Sequence, residues 1–218
     1  MVNKDYIMRL IEQLSQAIAK ILFNVENKNY EAAINEINLS YKGLTGLDPS
    51  LVNSLSDQEI IFFLTKGRTA DSEKYLVIAR LLRAEAELNE ITKKDFNDAL
   101  EKYQKSLSLY LEFFLNNIDA TKNYSSHIEF ILARIKSYTL PLHIKYKLFR
   151  YYELIGEYSK TEDILFELVD SKYPDIISEG KNFFQRLSQK SDGELSAGNL
   201  PREELKIGID DLNKKSVS

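Results

Sequence analysis

The 218-residue sequence contains no cysteine. That excludes a disulfide framework, a thiolate metal site and a cysteine nucleophile, and it fits a reducing compartment. Tryptophan is absent too, and only two histidines, His127 and His143, are present. Neither has a carboxylate at the helical spacing of a metal-ligand pair, so no metal and no other cofactor is expected. The eight glycines and four prolines are too few for a long flexible linker. They also assemble no phosphate loop, dinucleotide fingerprint or Gly-x-Ser-x-Gly elbow. Long hydrophobic runs are missing as well: the longest strongly apolar one, Ile60 to Leu64, is far too short to span a bilayer. Asp5, Arg9 and Glu12 interrupt what would be the apolar part of a secretory signal. A cytoplasmic protein is expected.

An excess of basic charge is the last absence. The formal net charge is −4 and the isoelectric point is near 5.4, which argues against phosphate-backbone binding by clustered Lys and Arg. What is present is an ordinary globular balance of 44% hydrophobic and 28% charged residues. A chain of this length buries a core without covalent help. One domain over residues 1–213 is expected, with 214–218 as a frayed tail.

The clearest positive pattern runs from Lys94 to Tyr110. Phe96 is followed by a small residue at Ala99, an aromatic at Tyr103 and a small residue at Ser106. This resembles the second helix of a tetratricopeptide repeat (TPR), where small side chains let a neighbouring helix approach closely. Tyr30, Ala33, Ile37 and Ser40 repeat the spacing. Gly156-Glu157-Tyr158 makes the same turn a third time, with Thr161 in place of the usual Ala. The turn aromatics Tyr30, Phe96 and Tyr158 are each about two repeat lengths apart and are expected to be equivalent core anchors. The proline that normally ends a repeat is missing, since Leu111 stands there in the best one. The resemblance implies an all-α fold, a TPR-like array of antiparallel helical hairpins.

The rest of the chain reads as further helices. Ile7, Leu10, Ile11, Leu14, Ile18 and Ile21 make one apolar stripe from Asp5 to Phe23, with Asn3 as the expected N-cap. Asp48-Pro49 and the Ser56/Glu59 capping box start two more helices, and Gly67 ends the second. Asp71 to Asn89, Ser126 to Tyr138, Pro141 to Ile155 and Pro174 to Gln189 follow, then a capped turn at Ser191/Glu194 and a last helix from Pro201.

Asp5-Tyr6-Ile7-Met8-Arg9, Glu162 to Leu168 and Leu200-Pro201-Arg202-Glu203-Glu204 are similar to segments of an uncharacterised family of helical bacterial proteins, a domain of unknown function. That resemblance implies a helical fold and no activity.

Nothing in the sequence assembles a catalytic set. Carboxylate neighbours such as Glu85 and Glu87, Glu203 and Glu204, or Asp210 and Asp211 read as solvated helix faces. Both histidines read as half-exposed residues in first helical turns. Counting back from Gly156 places His143, Tyr146, Arg150 and Glu153 on the concave side of a TPR-like groove. The core stripe of that helix is then Ile144, Leu148, Tyr152 and Ile155. Arg80 and Arg83 lie near the corresponding surface of the preceding pair. Arg and Tyr in a groove suit an extended peptide or a C-terminal carboxylate. The expected function is therefore a non-enzymatic interaction or scaffold module for a protein or peptide partner, with a second copy of the chain among the partners allowed and no nucleic acid or membrane. An enzyme or small-ligand binder with a composite site, or a peptide-sensing regulator, is the alternative.

Overall fold

A computed structural model describes residues 2–65, 72–92, 96–117 and 121–216. The chain packs as two compact units, residues 1–138 and 139–218, and each is described by itself. Every regular element among the described residues is helical.

Unit 1 begins with α1 (Val2–Glu26) and α2 (Tyr30–Ser40), which pack on one another as a hairpin. Asn3 lies inside α1 rather than capping it. A π-helical turn (Tyr41–Thr45) prolongs α2 and stops at Gly46, whose φ of 76° is open to glycine at no steric cost. α3 (Pro49–Ser54) starts where Asp48 accepts the Ser50 N–H at 2.9 Å. α4 (Asp57–Thr65) starts at a reciprocal capping box, with the Glu59 N–H donating to Ser56 Oγ and the Ser56 N–H donating to Glu59 Oε2 at 2.8 Å. The expected break at Gly67 lies outside the described residues.

α5 (Ser72–Ile91) and α6 (Phe96–Asn116) form the main hairpin, and α7 (Thr121–Ile135) packs on α6. The continuous stretch Lys105 to Leu111 of α6 is buried, so this helix runs through the middle of unit 1. Three of its buried polar side chains bond to three neighbouring elements. Ser106 donates to the Ala79 carbonyl of α5 at 2.7 Å, Ser108 to Asp57 of α4 at 2.5 Å, and Lys105 to the Asn53 carbonyl of α3 at 3.0 Å. Ala99 is fully buried, as a small residue at a close helix approach requires.

Tyr30, Phe96 and Tyr158 are the first residues of the second helix in three hairpins. They are not equivalent anchors, however. Tyr158 is 7% exposed, Phe96 is 39% exposed and Tyr30 is half-buried. Phe96 sits at the open end of α6 and packs at a tilt against Tyr138, centroids 5.1 Å apart, instead of entering the core.

Unit 2 comprises α8 (Leu142–Ile155), α9 (Tyr158–Asp170), α10 (Ile176–Ser188), α11 (Asp192–Ala197) and α12 (Arg202–Lys215). The α8–α9 turn is closed by Glu157 N–H to the Tyr152 carbonyl at 2.9 Å and Gly156 N–H to the Glu153 carbonyl at 3.1 Å, with Gly156 at φ 82°. Thr161 fits the small-residue position because its hydroxyl donates to the Glu157 carbonyl at 2.9 Å. The core gathers Phe149, Leu165, Leu168, Phe183, Leu195 and Leu205. Of the expected α8 stripe, Ile144, Leu148 and Tyr152 are buried, but Ile155 is 37% exposed, and Phe149 and Tyr151 are buried beside them. Ile155 is the last residue of α8, where the chain turns away from its neighbours. α12 continues through Lys215, which pairs with Asp170, so the helix extends past the expected end at residue 213. Lys214 and Lys215 suit that position because cations favour helix C-termini.

Candidate functional site

Arg80 and Arg83 stand three residues apart on α5 and so share a face. His127 of α7 meets them there. Its Nε2 lies 2.5 Å from Arg80 Nη1 and its Nδ1 lies 2.7 Å from Arg83 Nη1. The imidazole stacks on Tyr110 of α6, with centroids 5.5 Å apart and the rings 19° from parallel. Burial first, and then Arg80 and Arg83, push His127 down to about 4, so the ring is neutral at pH 7.

That neutrality creates an imbalance. A neutral imidazole has one nitrogen that accepts and one that donates, whichever tautomer is chosen. Two guanidinium groups therefore approach a ring that satisfies only one of them. Arg83 has other support: its Nε donates to Glu87 Oε1 at 2.6 Å, and its guanidinium carbon lies 3.7 Å from the Phe130 ring centroid. Arg80 has no described carboxylate within ion-pairing distance. The buried Tyr110 hydroxyl lies beside it, close enough for a loose contact but without a well-formed hydrogen bond; burial raises its pKa above the usual tyrosine value, against the opposing pull of Arg80 and Arg83. Two half-buried guanidinium groups with donors to spare have the chemistry that suits an oxyanion, since Arg matches carboxylate and phosphate oxygens with a planar fork.

Of the residues singled out in the sequence, Arg80 and Arg83 are brought together; the other four lie on α8 in unit 2. His143 is half-buried in the first turn of α8. Tyr146 is not turned away from the core: it is half-buried, stacked 5.2 Å from Tyr173 and 6.2 Å from Phe149. Glu153 accepts a two-pronged contact from Arg186, at 2.6 and 2.9 Å. Arg150 is exposed.

The sequence reading missed His127 because it placed the helix start at Ser126. α7 begins at Thr121, which moves His127 from the first turn to the second and onto the face packed against α5 and α6. It also misplaced Glu85, whose side chain is only 14% exposed. α5 is packed on nearly every side, with Tyr75 to Ala79, Leu81, Leu82, Ala86 and Leu88 all buried, so a polar residue in its middle is enclosed as well.

Residues 1–217 match the model of a family of unknown function, DUF6483, and the chain belongs to that family. No curated protein and no solved structure matches it. No helix among the described residues is long and apolar enough to cross a membrane.

Proposed function

We propose that the chain is a non-enzymatic, TPR-like helical-hairpin module that binds a protein or peptide partner in the cytoplasm. An acidic group of the partner is received at Arg80 and Arg83. The observation that carries this reading is the donor excess at His127, where two guanidinium groups face one acceptor. A carboxylate placed there relieves that excess and gains charge-assisted hydrogen bonds in a partly desolvated setting. The packing of α1 on α2, α5 on α6 and α8 on α9 supports the hairpin-repeat part of the reading. Adjacent Phe62 and Phe63 of α4, 60% and 53% exposed, support a protein-facing surface, because aromatic residues are enriched at interfaces. Arg150, exposed on α8 with His143, Tyr146 and Glu153 nearby on the same helix, is the second contact region in this reading.

An array of immobilised peptides with free or amidated C-termini tests it. Retention on free-carboxyl peptides that is lost on amidation, and lost in a folded Arg80→Gln, Arg83→Gln variant, is the expected result. Equal retention on both peptide sets, or by the variant, refutes the assignment.

A further inference from the structure

A second polar cluster is sealed inside unit 1, where α3 meets α5. Glu85 of α5 has a side chain only 14% exposed, and its Oε2 is buried with no hydrogen-bond partner. Asn53 of α3 bonds the same carboxylate through its side chain. An amide does so through its Nδ2–H, since its oxygen cannot donate. Asn53 Oδ1 is then left over, and it too is buried without a partner. Two acceptors closed off from solvent therefore need a donor from within the protein.

The charged neighbours do not supply it. Lys102 Nζ of α6 is 3.8 Å from Glu85 Oε2, too far for a hydrogen bond, and it donates to Asp98 Oδ1 at 2.5 Å. Lys105 Nζ, also on α6, donates to the Asn53 backbone carbonyl at 3.0 Å and pairs with Glu101 at 2.7 Å. Tyr41, in the π-helical turn, makes no hydrogen bond through its hydroxyl and stays neutral, because burial and the Glu85 charge hold its pKa well above the usual tyrosine value. One proton on Oε2 satisfies both acceptors at once. A carboxylic acid has one accepting oxygen and one O–H donor, the complement of an amide with its N–H and its oxygen.

We propose that Glu85 is held as a carboxylic acid in a two-bond pair with Asn53, Nδ2–H to Oε1 and Oε2–H to Oδ1, and that this pair is a proton-operated latch of α3 on α5. The latch shares no residue with Arg80, Arg83 and His127. Burial lifts Glu85 to about 7 against Lys102, the Asn53 side chain and Lys105, with a small addition from Asp98, which puts the switch near neutral pH. Because the folded value lies above the unfolded one, the pair is closed on the acid side. As the pH rises through about 7 the proton passes to solvent, and a buried carboxylate is left against Asn53 Oδ1. α3 is the element that responds. It is six residues long, too short to hold without tertiary contacts, and Val52 is its one fully buried residue.

Carbon-13 spectra of the whole protein from pH 4 to 9 test this, together with hydrogen exchange of the Val52 and Leu55 amides, which donate to the Asp48 and Leu51 carbonyls. The Glu85 carboxyl carbon and the Asn53 side-chain carbonyl carbon should move together, with one midpoint near 7. Protection of the two amides, corrected for intrinsic exchange, should fall on the order of fiftyfold between pH 5 and 8. Glu85→Gln offers a permanent N–H to Asn53 Oδ1, so its protection should stay at the acid-side level throughout. The carbon spectra of the unmodified protein do not depend on that variant folding. A Glu85 midpoint near 4.5, an Asn53 carbon that does not follow it, or α3 protection independent of pH overturns the proposal. So does a folded Glu85→Gln variant whose α3 protection falls with pH as the wild type's does.

Discussion

Adding one methyl group at Gly198 should unfold much of what holds unit 2, whereas the same change five residues earlier should help it. A Cβ at Gly198 would lie 2.2 Å from Tyr158 Cδ2 and 2.6 Å from the Gly156 carbonyl oxygen. Neither neighbour can yield. Tyr158 is 7% exposed within the core, and Gly156 is pinned by the α8–α9 turn. The Gly198 carbonyl also accepts the Ser159 N–H at 3.0 Å, so backing the loop away breaks a hydrogen bond. Overpacking of this kind costs about 1–3 kcal/mol, and displacing the Tyr158 ring approaches the cost of losing a core aromatic. Gly198→Ala should therefore lose about 3 kcal/mol, or about 10 °C in Tm at roughly 2–4 °C per kcal/mol for a chain of this size. Gly193 in α11 is exposed, and an added Cβ there meets nothing within 4 Å. Gly193→Ala should stabilise by up to about 1 kcal/mol through helix propensity. Thermal unfolding followed by circular dichroism reads both. A Gly198→Ala variant that melts with the wild type, or a Gly193→Ala variant that falls as far, refutes the packing of Tyr158 described here.

Three further expectations follow from unit 1. Ala99→Leu should cost about 1–3 kcal/mol in urea unfolding, because Ala99 is fully buried in α6, the helix paired with α5; an unchanged midpoint contradicts the close approach. Burial, opposed by Lys102 and by the Asn53 side chain and aided a little by Asp98, raises Glu85 from 4.5 to about 7. Because the folded value lies above the unfolded one, this contribution is full below about pH 4.5 and is lost as the pH rises through about 7, on the order of 3 kcal/mol in all. Glu85→Gln should flatten that part of the pH–stability curve, and an identical curve would contradict its burial. His127 has the opposite sign: its contribution is present above about pH 6.5 and is lost as the pH falls through about 4. Proton NMR titration, assigned with a His127→Asn variant, should show the ring neutral at pH 6; a midpoint near 6.5 contradicts its burial beside the two arginines.

Much of the helical framework was legible in the sequence because its signals are local. The Ser56/Glu59 and Ser191/Glu194 capping boxes, the Asp48-Pro49 start and the Gly156 turn each depend on a few adjacent residues. The repeat spacing marked Tyr30, Phe96 and Tyr158 as turn aromatics for the same reason, and each stands at the first residue of a helix. Burial was less legible because it depends on what packs alongside. Phe96 has the pattern of an anchor but lies at an open helix end beside Tyr138, and Glu85 has the pattern of a solvated charge but lies on a helix enclosed on nearly all sides. For the site, the spacing of Arg80 and Arg83 marked one face. Their meeting with His127 was hidden, since it depends on contact across 47 residues and on where α7 begins. Tyr146 was assigned to a groove by counting positions, and the stacking of Tyr173 against it comes from a loop that no count along α8 includes.

The central claim, that Arg80 and Arg83 receive a carboxylate from a partner, is tested most directly by arginine side-chain NMR. The Nε–H signals of the whole protein are followed during titration with a short peptide ending in a free carboxylate, with its amidated form as control. The account predicts that the Arg80 and Arg83 signals shift together and saturate with the free carboxylate only. Saturating shifts confined to other arginines, or equal shifts with the amidated peptide, would contradict it.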